Sequence, residues 1–311
     1  MEISIVILNY NGLAFLKECL ASVMQAVKEY GRQCEVIVVD NGSFDGSIAY
    51  VEEHFSAVRV ISFNENLSFT KAMNKGIRET RAPWVICLNN DTVVERDFIA
   101  PLVSYFSKNE GVFAIAAKML HRGSGNLNFG RVVADFRFGF FMRSIVDAQF
   151  AKNSLYGCAG GFAIDKNKFM SLGGFDEDFS IYWEDTDLCY RAWKRGWRTV
   201  YEPRSTIYHA FHGTNAQKLG QQRIDALSGE HYSLFVLKNI HDRMFFGCHC
   251  LALPLLLCAS IARGKVYFAK GVLCSFRRSR VFLRKRADEK SKNVISDRQV
   301  LSLIGTHKFP T

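Results

Sequence analysis

Short apolar runs and helical patterns alternate along the first ninety residues of the chain. Four runs have the length and composition of buried strands: 3–8, 34–40, 58–63 and 84–91. Three intervening segments carry apolar residues at helical spacing: 13–27, 47–55 and 68–80. Strands and helices that alternate through short links form a largely parallel sheet covered by helices on both faces. The pattern therefore predicts a Rossmann-like α/β fold.

Polar residues follow three of these strands where each ends: Asn9-Tyr10-Asn11, Asp40-Asn41 and Asn89-Asn90-Asp91. The carboxyl ends of parallel strands meet at one edge of a sheet, where ligands bind. Each cluster alone is also typical of a turn. An Asp that follows a strand is also typical of an Asx-turn or a helix N-cap. Their convergence on one edge favours a binding site.

A metal site is predicted at the end of the fourth strand. Magnesium is usually held by one or two carboxylates together with substrate phosphates, and Asp91 supplies a carboxylate at the ligand edge. His209, after a later apolar stretch, either completes this site, since imidazole is an acceptable ligand for manganese, or serves a structural purpose.

An acidic stretch lies further along the chain, with six carboxylates in the thirteen positions from 175 to 187. A helix is predicted to begin near Tyr182, which puts Glu184 and Asp185 in its first turn. The helix dipole favours carboxylates there. Alternatively, one of them is a general base with a pKa raised by its surroundings. Tyr182 and Trp183 either stack on a sugar or belong to the core.

Between residues 110 and 180 the alternation weakens. The segment 136–144 is aromatic and basic, and we interpret it as a mobile flap or an acceptor-side wall. The paired glycines within 158–179 permit tight turns or a close approach of backbone to ligand.

The last part of the chain has a different composition. Residues 244–262 are apolar over nearly the length that spans a bilayer, and residues 277–286 contain six Lys or Arg. Such a pair of segments spans or lies on a membrane, or forms a buried helix followed by a solvated one. We therefore divide the chain into 1–240, a catalytic domain, and 241–311, an apolar and basic helical segment associated with the membrane.

Composition narrows the partners and the compartment. The net charge of +10 suits polyanions, anionic membranes or phosphorylated small molecules, and nine cysteines without a CxxC pair suggest reduced thiols. We expect no targeting peptide, because Glu2 stands where a signal would be basic. The positive charge gathers beside the apolar segment, which favours a membrane surface over nucleic acid.

Six segments occur in the order and spacing of a known family: SIVILNYNG, VIVVDNGSFDGS, NENLSFTKAMNKGI, CLNNDT, GGFDEDFSIYWEDTDLCYRAWKRGW and IYH. Together they resemble the family-two glycosyltransferases of GT-A fold, especially bacterial rhamnosyltransferase-like members. The resemblance covers roughly residues 3 to 240.

The resemblance implies roles for individual residues. Asp185 matches the general base of the family's Glu-Asp pair, with Glu184 beside it, and Tyr182 and Trp183 lie on the acceptor side. Asp91 faces the diphosphate-bound metal, Mg²⁺ or Mn²⁺, and His209 matches a His that joins it. Asp40 matches a carboxylate that contacts the nucleotide base. The remaining nucleotide-sugar contacts implied are Asn9, Tyr10, Asn11, Asn66, Asn74, Asn89 and Asn90.

Two positions depart from the family pattern. Asn89 stands where many members carry the first Asp of the DXD motif, which leaves one fewer charge for the metal. Ser68 replaces a common glycine, so the resemblance does not imply a close approach of the backbone to the nucleotide at this position.

The function implied is that of an inverting hexosyltransferase, which moves a sugar from a nucleotide-diphosphate sugar to a glycan or lipid-linked glycan. The resemblance to rhamnosyltransferase-like members makes rhamnose one candidate for the sugar. It would act in polysaccharide and cell-envelope biosynthesis, in the cytoplasm at the inner face of the cytoplasmic membrane. The alternative is a non-catalytic nucleotide-sugar or carbohydrate-binding protein on the same fold.

Overall fold

The computed structural model of the protein describes residues 2–108, 110–210 and 220–305. Its first half follows the predicted alternation: β1 Ile3–Asn9, α1 Leu13–Tyr30, β2 Cys34–Asp40, α2 Ser47–His54, β3 Val58–Ser62, α3 Phe69–Arg78 and β4 Trp84–Asn89. β1 lies between β2 and β4, β3 flanks β2, and all four strands are parallel. The predicted elements of this half are confirmed, with ends displaced by a few residues.

The second half completes the sheet with shorter elements: β5 Thr92–Val94, α4 Ile99–Phe106, β6 Val112–His121, β7 Leu127–Phe129, β8 Arg131–Arg137, β9 Phe140–Val146, β10 Lys152–Asn153, β11 Gly161–Asp165, α5 Lys166–Ser171, α6 Glu184–Lys194 and β12 Arg198–His209. The main sheet runs β10-β12-β6-β11-β4-β1-β2-β3, with β5 on β12 and β7 on β6. β8 and β9 form a separate hairpin.

The main sheet is mixed. Strands β1 to β4, β6 and β12 run in one direction, as predicted for a mostly parallel sheet, whereas β5, β7, β10 and β11 pair antiparallel to their neighbours. β11 is inserted antiparallel between β4 and β6. A buried strand shows the same continuous apolar run in either direction, and its sequence therefore does not reveal its polarity. The insertion has a consequence for the site: Gly161 pairs with Leu88, so the loop before β11 reaches the polar end of β4.

Helices cover both faces of the sheet, as predicted. Ile5 and Ile7 of β1 pack with Leu16 of α1 in one core cluster. Val6, between them, packs with Met73 of α3 in the second cluster. This alternation of side chains along one strand is what a doubly covered sheet requires.

The C-terminal part is helical: α7 Gln221–Asn239, α8 Arg243–Ala262, α9 Val266–Ser275, a 3₁₀ turn Phe276–Arg278, α10 Ser279–Ser291 and α11 Asp297–Ile304. Among the described residues, α8 is the one helix long and apolar enough to cross a membrane. Only 17% of the most apolar stretch of this helix is buried inside the protein. This low burial does not fit the buried core helix considered as an alternative.

Contacts cross the predicted domain boundary at residue 240. Asp297 at the start of α11 is buried and accepts hydrogen bonds from Tyr190 Oη at 2.8 Å and Lys194 Nζ at 2.6 Å, both on α6. It also accepts from the backbone amides of His241 and Asp242. The last two helices thus pack on the catalytic half, and the change of composition at 240 is not a break in packing.

Candidate active site

Asn9 holds the ends of three strands together. Its Nδ2 donates to Asp40 Oδ2 at 2.9 Å, and its Oδ1 accepts from Asn90 Nδ2 at 2.7 Å. Asn9 is fully buried. The structure therefore brings together the polar ends of β1, β2 and β4, as the sheet topology predicted.

The loops after β1 and β2 are joined by further hydrogen bonds. Asn11 has a left-handed backbone with φ of 47°, and its amide donates to Ser43 Oγ at 2.9 Å. Its Oδ1 accepts from the Phe44 amide. A Cβ on Gly12 would lie 2.0 Å from Asn90 Nδ2, so any other residue there would displace the Asn90 side chain. Tyr10, between Asn9 and Asn11 in the chain, is half-buried at the polar edge of the sheet.

Asp40 is engaged on both oxygens. Oδ1 accepts from the Ser43 amide at 2.8 Å and Oδ2 accepts from Asn9, and the side chain is fully buried. This is the Asx-turn geometry considered from the sequence. A direct contact of Asp40 with a nucleotide base stays a prediction, and it would need the loops to expose this fully buried side chain.

The residue after Asp40 organises the next loop. Asn41 Nδ2 donates to Asn66 Oδ1 and to the Leu67 carbonyl, both at 2.9 Å, and its Oδ1 accepts from the Leu67 amide. These bonds place Asn66 beside the ends of β2 and β3. Asn41 was part of the predicted polar cluster, but its pairing with the 64–67 loop was not predicted.

Asn74 has a different surrounding from the one the resemblance implied. It is buried on α3, where its amide exchanges hydrogen bonds with the Phe175 backbone, both at 2.9 Å, and donates to Glu177. These hydrogen bonds give Asn74 an internal role in supporting the 175–177 loop. Its contact with a nucleotide stays a prediction.

Asp91 and His209 are adjacent, with Asp91 Oδ1 3.3 Å from His209 Nε2. The pairing of β5 with β12 brings them together, because Thr92 lies opposite His209. Asp91 Oδ1 is buried and accepts no hydrogen bond. A buried anionic oxygen beside an imidazole fits a divalent cation whose other ligands come from a substrate diphosphate. No group of three or more His, Cys, Asp or Glu suited to a metal is found within 2–108, 110–210 and 220–305.

Asn89 faces the loop before β11. A Cβ on Gly160 would lie 2.8 Å from Asn89 Nδ2, so the paired glycines allow close backbone approach at the end of β4. The antiparallel insertion of β11 is what produces this contact.

A strained turn precedes α6. Tyr182 and Trp183 have φ of 58° and 68°, a left-handed conformation that costs roughly 1–3 kcal/mol at each non-glycine residue. His231 of α7 holds the turn, with Nδ1 2.7 Å from the Ile181 carbonyl. Trp183 is buried against Tyr232 and belongs to the core, whereas Tyr182 is exposed and available to a ligand.

Glu184 and Asp185 begin α6 immediately after this turn. Asp185 Oδ2 accepts from the Ala159 amide at 3.2 Å, while Asp185 Oδ1 and Glu184 Oε2 are buried without a hydrogen-bond donor. Asp185 keeps a little exposed surface, yet burial raises the pKa of its carboxyl to about 7. Burial and the neighbouring Asp185 raise the pKa of Glu184 well above its usual range.

Three of the other four carboxylates of the acidic stretch form ion pairs, and the fourth, Glu177, accepts a hydrogen bond from Asn74. Asp187 is buried between Lys238 and Arg191, each with a nitrogen 2.8 Å from its carboxylate. Asp176 pairs with Lys238 and Lys285, and Asp178 with Lys285 and Arg278. Asp176, Asp178 and Asp187 thus form ion pairs with residues of the C-terminal helices. Glu184 and Asp185 have no ion-pair partner within the described ranges.

A comparison with known proteins gives the family. Residues 4–173 match the model of glycosyl transferase family 2. The chain belongs to this family. The match spans β1 to α5 and so contains the polar strand ends and Asp91, and the family identity makes the protein a glycosyltransferase.

Relatives of this glycosyltransferase include two rhamnosyltransferases. It is 25% identical to N-acetylglucosaminyl-diphospho-decaprenol L-rhamnosyltransferase of Mycobacterium tuberculosis, over 75% of this chain and 82% of that protein. It is 25% identical to rhamnosyltransferase WbbL of Escherichia coli K12, over 67% of this chain and 82% of that one.

A solved structure confirms the GT-A glycosyltransferase fold. The mannosyltransferase PcManGT of Pyrobaculum calidifontis, in complex with GDP-Man and Mn²⁺, superposes with a TM-score of 0.56 at 16% identity. The alignment covers 94% of this chain and 85% of that one.

One residue of the site was not predicted individually. Arg143 of β9 lies with its guanidinium carbon 4.0 Å from the Trp183 ring and donates to Thr186 Oγ1 in the first turn of α6. It belongs to the aromatic and basic segment interpreted as a flap or acceptor-side wall. Only the packing of the hairpin on α6 shows that it stands beside the two carboxylates.

Proposed function

We propose that this glycosyltransferase moves a sugar, with inversion, from a nucleotide-diphosphate sugar to a glycan or lipid-linked glycan, and that Asp185 is the general base. The observation that carries the proposal is the unpaired carboxyl of Asp185, whose raised pKa of about 7 lies near neutral pH. A general base works best when its pKa lies near the working pH.

Asp185 accepts the proton of the acceptor hydroxyl in this mechanism. The hydroxyl oxygen forms a bond to the anomeric carbon while the bond from that carbon to the nucleotide diphosphate breaks on the opposite face, which inverts the configuration. The Ala159 amide holds Oδ2 of Asp185 in place and leaves Oδ1 free for the hydroxyl. Positioning of this kind supplies much of the rate enhancement in a displacement between two bound substrates.

The donor is proposed to bind along the polar strand ends. Asn9 is hydrogen-bonded to both Asp40 and Asn90 and holds the loops. The residues proposed to line the edge are Tyr10, Asn11, Asn66 and Asn89. Asp91 and His209 would hold a Mg²⁺ or Mn²⁺ ion, and the buried free oxygen of Asp91 supports this assignment. When bound, such an ion neutralises charge on the departing diphosphate.

A lipid-linked acceptor is proposed from two observations. The mycobacterial relative acts, by its name, on a diphospho-decaprenol-linked sugar. In this chain the apolar helix α8 exposes Leu251, Leu255 and Ile261. An exposed apolar helix beside cations suits the inner face of an anionic membrane. Arg277, Arg280 and Arg284 remain exposed there, whereas Arg278, Lys285 and Arg286 are bonded within the protein.

The test of the proposal compares Asp185→Asn with the native enzyme. Asn keeps the shape and the bond to the Ala159 amide but takes no proton at neutral pH. We expect nucleotide affinity within about twofold of native by calorimetry, and single-turnover transfer slower by at least ~100-fold. Native transfer by Asp185→Asn would remove Asp185 as the base. Nucleotide-sugar binding without turnover in the native protein, across candidate acceptors, would favour a binding protein instead.

The metal is tested separately. Asp91→Asn should abolish the dependence of nucleotide binding on Mn²⁺, measured by calorimetry with and without chelator. Full transfer by the native enzyme in excess chelator would contradict the metal assignment and leave the role of Asp185 untouched.

A further inference from the structure

The β8–β9 hairpin connects the exposed apolar surface to the carboxylate pair. Its tip, Phe138-Gly139, forms a two-residue turn with φ of 51° and 81°. The Phe138 side chain is 90% exposed. An exposed aromatic side chain near an exposed apolar helix adds to an apolar surface, and such surfaces mark sites of membrane or protein contact.

The tip rests on α8. The Gly139 carbonyl accepts a hydrogen bond from His249 Nδ1 at 2.8 Å, and Phe136 stacks on Phe245 with ring centroids 4.6 Å apart. A Cβ on Gly139 would lie 2.5 Å from the Cys248 carbonyl oxygen, so glycine is required for this contact. The tip that carries Phe138 therefore packs on α8, the helix that also exposes Leu251 and Leu255.

The first half of β9 lies beside the first turn of α6, where the two carboxylates are. Phe141 packs on Trp183 and Phe235, and Arg143 on the same face of the strand stacks on Trp183 and donates to Thr186. Arg143 lies three residues beyond Phe140, the first residue of β9, which is roughly 10 Å of extended strand from the turn.

Arg143 acts on Glu184 and Asp185 at a distance, because its charge lowers the pKa of both carboxyls against the effect of burial. Within the described residues no carboxylate lies at ion-pair distance from it, and it contacts the hydroxyl of Thr186 and the rings of Trp183 and Tyr156. An arginine fork oriented by stacking, with donors still open, is suited to bidentate binding of phosphate.

We propose that this hairpin delivers the acceptor: Phe138 enters the membrane interface beside α8, and Arg143 binds the phosphate that links the acceptor sugar to its lipid. The inference rests on the proposed transfer to a lipid-linked acceptor and adds the recognition element. Arg143 touches the acceptor but takes no proton. A lipid anchored at Phe138 with its phosphate at Arg143 presents its sugar to Asp185.

The membrane contact is tested with Phe138→Trp, using anionic vesicles of phosphatidylglycerol with brominated acyl chains. We expect a blue shift and strong quenching of the added tryptophan above the signal of the native protein. Phe150→Trp is the matched control, since Phe150 is also exposed but follows the opposite end of the hairpin. Equal quenching of both, or of neither, would overturn the role of the tip.

The phosphate contact is tested with Arg143→Gln and Arg143→Met, the second of which keeps the packing on Trp183. The probe is geranyl diphosphate, titrated with nucleotide and Mn²⁺ saturating so that the donor site is filled. We expect affinity for the probe to fall about 10- to 100-fold in both variants, the effect of losing a charge-assisted hydrogen-bond pair. Arg143→Lys should retain part of it, because charge remains but the fork is lost.

Three outcomes distinguish binding of the acceptor phosphate by Arg143 from other roles of this residue. Unchanged geranyl diphosphate affinity in folded Arg143→Gln would overturn the phosphate role. Equal losses of transfer to a diphospholipid-linked sugar and to the corresponding alkyl glycoside would do the same, because the second acceptor has no phosphate. Weaker binding of the variant to phosphatidylglycerol vesicles would assign Arg143 to lipid headgroups instead. The vesicle quenching and the geranyl diphosphate titration are made without turnover, so their results do not depend on the role of Asp185.

Discussion

At the scale of single residues, two carboxylates of one helix turn carry out different tasks. Asp185 and Asp187 are two positions apart on α6, yet burial raises the pKa of Asp185 to about 7. Burial acts on Asp187 as well, but Lys238 and Arg191 outweigh it and lower its pKa. The presence or absence of a cation at ion-pair distance decides whether the pKa of the buried carboxyl is lowered or raised.

The raised pKa predicts a pH dependence of transfer. Asp185 must be ionised to accept a proton, so single-turnover transfer should fall as pH drops through about 7, approaching tenfold per unit below it. The measurement is the rate from pH 5.5 to 8.5 with donor saturating. The residual rate of Asp185→Asn should lack this titration. A native profile that stays flat down to pH 5.5 would contradict the prediction.

The same shift has a consequence for stability. A carboxyl with a raised folded pKa holds more protons in the folded than in the unfolded state between its ordinary value and about 7, so folding stability decreases with pH across that window. Asp185→Asn should therefore raise the Tm at pH 8 by about 2 °C or more, and less at pH 4. Asp187→Asn is the control. It should lower the Tm at pH 8, because it breaks the pairs with Lys238 and Arg191.

At the scale of elements, the C-terminal helices hold α6 in place. Asp176 and Asp178, just before the strained turn, are paired with cations of α7 and α10. At the far end of α6, Lys194 is paired with Asp297 of α11 at 2.6 Å. The strain at Tyr182 and Trp183 persists because packing and ion pairs fix the chain on both sides.

Asp297→Asn tests this support. The substitution removes the charge that balances buried Lys194 and weakens the bonds to Tyr190 and to two backbone amides. We expect a loss of about 3 kcal/mol or more in the free energy of unfolding, measured with urea, and weaker transfer through misplacement of Asp185. Asp288→Asn, which breaks an exposed pair with Lys292, should cost less than about 1 kcal/mol. Similar losses for both variants would refute the distinction.

At the scale of the whole molecule, the apolar face of α8 and the catalytic edge belong to one packed unit. Truncation near residue 240 would remove Asp297 and Lys285, which neutralise buried or half-buried groups of the catalytic half. Membrane association is therefore better tested by substitutions in the full chain than by the truncation that the composition suggests.

The double variant Leu251→Ser, Leu255→Ser should bind anionic vesicles at least ~10-fold more weakly, because two large exposed apolar side chains lose their favourable transfer to the interface. Sedimentation with phosphatidylglycerol vesicles measures this. Native binding should also weaken with salt, since contacts of Arg280 and Arg284 with headgroups are screened. Met170→Ser, an exposed apolar substitution on α5, should leave binding unchanged. Equal binding by the double variant would exclude α8 as the contact.

The sequence by itself determined the elements of the first half, the convergence of polar strand ends, the prominence of the Glu184-Asp185 pair and the apolar character of α8. Each depends on periodicity, turn chemistry or an ordered set of motifs, which are properties of neighbouring residues. The tertiary structure decided the direction of β11, the internal role of Asn74, the burial of Trp183 and the pairing of Asp187 with Lys238. These depend on which distant segments meet. Burial and ion pairing set the chemistry of a carboxyl, and both are fixed only when α6, α7 and the β8–β9 hairpin pack together.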